Sequence, residues 1–412
     1  MTASAVVFAD VFFSNLSPVA GTLASLTTFA TGYLARPLGG IVFGHFGDRL
    51  GRKRMLVVTM SLMGVAGFLI GILPTYGQAG TLAPVLLLLL RIVQGVAVGG
   101  EWGGAVLLSA ANAGAPAGMA LSTVVLSATS GAVGEQAFLD WGWRIPFLLS
   151  VVLLAVGLFV RLRVTETPVF AEAEEKKEKK RESTPRRSLP LWDVLRHHPR
   201  VLLLSIGVGL SAFVFQGTVT TYIISYAVQG GFARQTVLNS LAVSSALAMF
   251  GIIGWSALSD RVERRPVVMA GALAVGAYSF ALFPLVDTGS TALLVLALVV
   301  GQFLVHPMMY GPLAALYTEL FATRSRYTGA SLGYQIAGLG AGFAPLIFTE
   351  VRADAGGGAT VLISAIIAAF CLGTVVCLAL LGETSRTDLT GMSTDSSTPL
   401  PVNGQAEAAP TS

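Results

Sequence analysis

Long apolar runs constrain the fold of this chain more than any other feature. About 20 apolar residues cross the hydrocarbon core of a bilayer as a helix. Lipid offers no hydrogen-bond partners to a backbone, so each run must stay helical and turn only in water or among headgroups. We therefore predict an all-α, polytopic membrane protein with eleven spans, near 20–43, 55–73, 82–109, 113–132, 143–161, 201–228, 236–258, 266–286, 291–317, 328–349 and 358–381.

A shorter apolar stub precedes the first full span. Residues 3–13 reach only about 16 Å as a helix, roughly half the hydrocarbon thickness. With the stub, the spans form two groups of six, separated by the charged interval 162–200. We predict an N-terminal helical half at 1–161, a cytoplasmic linker at 162–200, a C-terminal helical half at 201–381 and a disordered cytoplasmic tail at 382–412.

The composition excludes a soluble protein. Only 12% of the residues are charged, whereas soluble domains contain about 25%. The net charge of +4 could suggest a nucleic-acid partner, but 21 of the 26 Lys and Arg residues fall in segments assigned to the cytoplasm. This asymmetry follows the positive-inside rule, so the basic residues mark topology, and we expect a multi-pass cell membrane protein that binds no nucleic acid.

The turn between the second and third spans combines glycines, an acid and four bases. Its bases place it in the cytoplasm, and Asp48 lies where it can cap the next helix. A related turn joins the eighth and ninth spans, with Glu263 in place of Gly51. Because the fourth span ends level with the first turn, we expect Glu101 to meet Arg52 or Arg49 and latch the cytoplasmic side. The candidate gate residues are Gly44, Asp48, Arg49, Gly51, Arg52, Lys53, Glu101, Asp260, Arg261 and Arg264.

The first turn resembles the signature loop of the major facilitator superfamily, G-x-x-x-D-R-x-G-R-K/R-x-x-L/M, at every specified position from Gly44 to Leu56. An ordinary basic loop that obeys the topology rule is the alternative. Further stretches, such as Arg91-Ile92-Val93-Gln94-Gly95, are similar to the metabolite:H⁺ symporter branch, which includes transporters of shikimate, 2-oxoglutarate, citrate and proline/betaine. The resemblance covers about residues 3–382.

The resemblance implies two six-helix halves that rock about a midplane site. It also implies a monomer, and proton coupling through the arginine of the fourth helix, here Arg91. Two departures stand out: the first helix is truncated, and only residues 111–116 separate the fourth and fifth spans. Either the start codon is misassigned and the gene damaged, or the protein is a shortened variant.

Ionisable groups at bilayer depth are functional hypotheses, since each costs on the order of 3 kcal/mol. Arg36 could bind a substrate carboxylate in a cavity, or it could pair with another residue inside the helix bundle. His306 could face the cavity or bond to a neighbouring helix, and its spacing of four from two other polar residues gives them one helix face. The candidate substrate and proton pathway consists of Arg36, Arg91, Gln94, Gln216, Gln302, His306, Tyr310 and Gln335.

These features predict a secondary active transporter of the cytoplasmic membrane, working by alternating access. Cationic and amide groups favour a small polar substrate that carries a carboxylate, brought into the cell with a proton. A truncated, inactive paralogue and a proton-independent facilitator remain alternatives. The sequence contains no His-Glu-x-x-His or Gly-x-Ser-x-Gly motif and no acids at metal spacing, so we expect no enzyme activity, catalytic residue, metal or cofactor.

Overall fold

The computed structural model describes residues 7–50, 52–105, 113–163, 194–196, 199–321, 326–355 and 358–381. Within these ranges, the side chains at 44–50, 52–53, 102–105, 135, 160–163, 326–327 and 355 lie outside the description. Every regular element of the described residues is helical, so the predicted fold class is confirmed.

The helices are numbered α1 to α12 in the order of the stub and the predicted spans. Several are interrupted, and their segments share one number. The bounds are Phe8–Phe12 (α1), Pro18–Leu34 and Arg36–Leu50 (α2), Arg52–Ile72 (α3), Leu82–Ala105 (α4), Gly114–Val133 (α5), Ile145–Leu148 and Ser150–Arg163 (α6), Pro199–Gly217, Thr218–Tyr222 and Ile223–Gln229 (α7), Arg234–Val262 (α8), Arg264–Asp287 (α9), Thr291–Val299, Val300–Val305 and His306–Leu320 (α10), Arg326–Ala337 and Leu339–Ala355 (α11), and Ala359–Leu380 (α12).

Ten of these helices, α3 to α12, are long and apolar enough to cross a membrane, among the residues searched. The predicted span at 20–43 corresponds to α2, whose two segments meet at Ala35. Pro37 follows two residues later. It has no backbone N–H to donate to the carbonyl oxygen four residues earlier, which explains a break in the helix at this point. The interruption leaves Arg36 as the first residue of the second segment.

Helices α2, α3, α4 and α6 pack mainly on one another, as do α7 to α12, whereas α5 packs mostly on α8. The two groups meet along two seams, one between α5 and α8 and the other between α2 and α11. This arrangement agrees with two groups of six helices. Most of the linker, 164–193, lies outside the described residues, so the predicted division of the chain stays a prediction.

Glycines allow the backbones to touch where helices of one half cross. A Cβ built on Gly39 of α2 would lie 1.9 Å from the Val96 carbonyl oxygen of α4, and one built on Gly251 of α8 would lie 2.2 Å from the Phe303 oxygen of α10. Gly39 and Gly251 hold equivalent positions, each nine residues before the aspartate of its turn. Small residues allow such close packing in lipid, where burial from water does not drive helices together.

Two helices change to π-helical geometry near the centre of the second half. The segments are Thr218–Tyr222 in α7 and Val300–Val305 in α10, and π-helical turns are rare and often occur at functional sites. Gly301 of α10 lies near Val219 of α7, so the two segments face each other. Pro307 follows the second segment and cannot bond to the Phe303 carbonyl, which instead lies against Gly251.

We expect Gly251→Ala to destabilise the protein by about 1–3 kcal/mol, because the new methyl group would overlap a backbone oxygen that cannot move aside. Thermal unfolding of the purified protein in detergent measures the effect. Gly254→Ala is the matched control, since a Cβ at Gly254 meets nothing within 4 Å on the same helix. Equal unfolding temperatures for the two variants would contradict the close crossing of α8 and α10.

Candidate functional site

A cavity of about 320 Å³ lies between the two halves of the described structure. Its walls come from α5 and α6 on one side and from α7, α8 and α10 on the other. The lining residues are Ala115, Pro116, Gly118, Met119, Ser122, Leu126, Pro146, Phe147, Phe215, Gln216, Val219, Thr220, Ala248, Ile252, Gln302, His306 and Tyr310. The lining is thus mostly apolar with a few polar groups, which is typical of a small-molecule site.

The polar part of the wall comes from α7 and α10, next to the two π-helical segments. Gln302, His306 and Tyr310, spaced by four, all line the cavity, as does Gln216. The Gln302 amide nitrogen donates to the Ser244 hydroxyl at 2.9 Å, and its amide oxygen accepts from Ser245 at 3.5 Å. These bonds to α8 fix the orientation of the amide at the edge of the cavity.

Three stacked rings form one side of the cavity. The His306 ring lies between Phe215, with centroids 6.2 Å apart, and Tyr310, at 5.1 Å. The Tyr310 hydroxyl shares a hydrogen bond of 2.7 Å with that of Tyr334 on α11. The stack is therefore held on two sides, and the positions of its polar atoms are set by packing.

Arg36 lies behind this wall, on the other half of the molecule. Its guanidinium carbon is 3.5 Å from the centroid of the Tyr33 ring, and its helix packs on α11, which carries Tyr334, the hydrogen-bond partner of Tyr310. No carboxylate among the described side chains forms an ion pair with Arg36. The side chain is not in the lining of the cavity, because it lies over the Tyr33 ring.

The other predicted pathway residues also lie outside the lining. Arg91 donates to the Gln94 amide oxygen at 3.2 Å and lies 5.1 Å from the Phe8 ring of α1. Gln335 donates to the Gly99 carbonyl at 3.3 Å, which joins α11 to α4. We expected Arg36, Arg91 and Gln335 to gather around one void with Gln302, but other contacts hold all three elsewhere. Their part in a substrate or proton pathway stays a prediction.

The end of the bundle that carries the two turns is called the motif end here, and the other end the far end. The structure does not describe most of the first turn. Outside the description are the surroundings of Gly44, the side chains of Asp48, Arg49, Arg52 and Lys53, and all of Gly51. Glu101 is half-buried, and it interacts with another residue. Its predicted latch to Arg49 or Arg52 stays a prediction.

The second turn shows a charge cluster that sequence reasoning found only in part. Arg264 pairs with Asp260 at 3.2 Å and with Glu319 at the end of α10, whereas Arg261 is exposed. Glu319 was missing from the candidate gate residues. An acid at the end of the tenth span, level with a basic turn, was the available signal, and it matches the reasoning applied to Glu101.

Polar contacts also join the two halves at the far end. Arg234 at the start of α8 pairs with Asp10 of α1 at 3.2 Å. Gln235 donates to the hydroxyl and the carbonyl oxygen of Ser127 on α5, at 2.6 and 2.9 Å, and the Ser127 hydroxyl donates to Asn239. No pattern in the sequence pointed to these pairs, because their partners lie more than 100 residues apart.

Two helical halves around a shared cavity, with charged turns at one end, define a multi-pass membrane transporter. Residues 2–345 match the Major Facilitator Superfamily. The chain belongs to this superfamily, as its first turn led us to expect.

The proteins of similar sequence whose function is named are transporters rather than enzymes. A shikimate transporter of Escherichia coli is 38% identical over 84% of this chain and 81% of its own length. The inner membrane metabolite transport protein YhjE of the same species is 37% identical over 94% and 90%. A proline/betaine transporter of Salmonella typhimurium is 32% identical over 82% and 71%. The fold is similar to the crystal structure of a D-xylose–proton symporter, with a TM-score of 0.69 over 93% of this chain and 94% of that one, at 18% identity.

Glu263 stands where the first turn has Gly51, and its backbone adopts φ 84° and ψ 146°. This conformation suits glycine and costs other residues about 1–3 kcal/mol. We therefore expect Glu263→Gly to unfold at a higher temperature than Glu263→Ala, because both lose the carboxylate but only glycine relieves the backbone. Scanning fluorimetry of the two purified variants measures the difference, and a more stable alanine variant would contradict the strain.

Proposed function

We propose that this protein moves a small polar metabolite across the cytoplasmic membrane by alternating access of its two halves to the central cavity. The cavity lies between the halves, so a relative rotation would open it to one side or the other. Family membership and the relatives favour this function. We further propose the boundaries 1–161, 162–200, 201–381 and 382–412 for the halves, linker and tail, with the linker and tail in the cytoplasm, and a monomer as the working unit.

The substrate we propose carries a carboxylate. The observation that carries this proposal is the place of Arg36, a cation in the membrane region at the seam between α2 and α11, without a described carboxylate partner. A guanidinium in such surroundings favours an anion, which it can bind through two parallel hydrogen bonds. The named substrates of the relatives, shikimate and proline or betaine, also carry a carboxylate.

We propose that the turns act as gates at the motif end. In the second half, Asp260, Arg264 and Glu319 form a connected charge cluster. Asp48 and Arg52 have the same spacing as Asp260 and Arg264, and Glu101 lies near the end of the fourth helix as Glu319 does in the tenth. An equivalent cluster in the first half would hold the motif end closed until the halves rotate.

Uptake by purified protein in proteoliposomes tests the function. We expect accumulation of shikimate, 2-oxoglutarate, citrate, proline or glycine betaine when the outside is more acidic than the lumen, and loss of accumulation with a protonophore. Vesicles without protein are the control. Accumulation that a protonophore leaves unchanged would indicate a proton-independent facilitator, and no uptake of any of these compounds would contradict the proposal.

Arg36→Lys should raise the KM for an acidic substrate by about tenfold, because an ammonium cannot reproduce the two parallel hydrogen bonds of a guanidinium. Initial uptake rates over a range of substrate concentrations measure the change. Arg261→Lys is the matched control, since it makes the same exchange at an exposed position. An unchanged KM in Arg36→Lys would remove Arg36 from the substrate site.

A further inference from the structure

Among the described cavity-lining residues, His306 is the one whose side-chain type ordinarily titrates near neutral pH. His306 is 7% exposed, and its Nε2 atom has no hydrogen-bond partner in the structure. A buried polar atom without a partner is costly, and such atoms are rare unless a ligand or water satisfies them. The cavity is the place from which a transported molecule could reach this nitrogen.

The surroundings of His306 fix the ring without neutralising a charge on it. Phe215 and Tyr310 stack on its two faces, and the backbone carbonyl of Ala212 is its other polar contact. A ring held in this way keeps Nε2 in one place in the cavity wall.

The titratable and charged groups facing this region are few in the described structure. They are the phenols of Tyr310 on α10, Tyr334 on α11, Tyr33 on α2 and Tyr278 on α9, which packs on Phe215, and the Arg36 guanidinium, which lies over the Tyr33 ring. The cavity residues of α5, α6, α7 and α8 are uncharged. Because phenols ionise only near pH 10 and arginine stays charged, no other group in this set changes its charge at physiological pH.

An imidazolium in this apolar wall is unfavourable on its own, and so is a carboxylate in the cavity. Each would stabilise the other by forming an ion pair with a charge-assisted hydrogen bond. Proton and carboxylate would then bind cooperatively, and the coupling would be reciprocal.

We propose that His306 binds the transported proton on Nε2 and pairs with the carboxylate of the substrate. The proton and the substrate enter from the side to which the cavity is open and form the neutral ion pair with His306. The rotation of the halves then opens the cavity to the other side, where the substrate and the proton leave and the imidazole returns to its neutral form. This inference rests on the proposed function and deepens it. Gln216 and Gln302 remain available to hydrogen-bond the rest of the substrate.

The test compares the wild type, His306→Gln and a control, His198→Gln, in proteoliposomes. The control makes the same exchange in the predicted linker, 162–200, and the substrate is whichever of the five compounds above the wild type accumulates. Two assays separate coupling from binding: accumulation driven by a pH gradient, and counterflow of labelled against unlabelled substrate without a gradient. Glutamine keeps a hydrogen-bonding side chain but cannot carry a proton. We expect His306→Gln to lose at least about tenfold in accumulation, to exchange substrate in counterflow only with a raised KM, and to show a KM that no longer changes between about pH 5 and pH 8.

Proton uptake on substrate binding provides a measurement that does not depend on the variant folding. In detergent, near pH 8, the wild type should take up about one proton for each substrate bound, seen by calorimetry in buffers of different ionisation enthalpy. No proton uptake by the wild type, or unchanged accumulation by His306→Gln, would overturn the role of His306. If the wild type transports none of the five compounds, the proposed function itself fails, and the two failures are therefore distinguishable.

Discussion

Backbone contact between crossing helices is the constraint on which the rest of this structure depends. Within lipid, helices gain little from burying apolar surface, so they associate where small residues let them approach closely. Here the contacts involve the carbonyls of the functional helices themselves: the Arg36 oxygen lies against Gly99, and the Phe303 oxygen lies against Gly251. The residues beside these carbonyls are therefore positioned by main-chain contact. Each half can move as a block, while relative motion is left to the two seams between the halves.

The fourth helix of the first half and the tenth helix, its counterpart in the second half, place their polar side chains differently. Gln94 and His306 each lie five residues before a glycine, Gly99 or Gly311, that packs against the neighbouring helix. In the first half, the amide oxygen of Gln94 accepts a hydrogen bond from Arg91. In the second half, His306 lines the cavity. The cavity therefore takes its polar groups from α7 and α10, whereas its walls from α5 and α6 are almost entirely apolar.

The sequence predicted the elements of the fold better than their contacts. Apolar length determines the spans because lipid allows no other backbone arrangement, and the spacing of Gln302, His306 and Tyr310 determines a common helix face. The π-helical segments escaped prediction, since their geometry depends on the packing of α7 against α10 rather than on local composition. Arg36 and Arg91 were placed on the right helices, but a long side chain can turn towards several neighbours, and only the fold shows which one. Glu319 was overlooked because its partner, Arg264, lies 55 residues away in the chain.

The polar contacts at the far end determine how easily that end separates. Water can replace each of these hydrogen bonds when the halves part, so each one stabilises the closed arrangement by only about 0.5–1.5 kcal/mol. The exposed pair of Asp10 and Arg234 adds little, because solvent screens it. Thermal motion can overcome a free-energy difference of this size. The far end would therefore open spontaneously in a minor fraction of molecules, and a bound solute would need to select that state rather than create it.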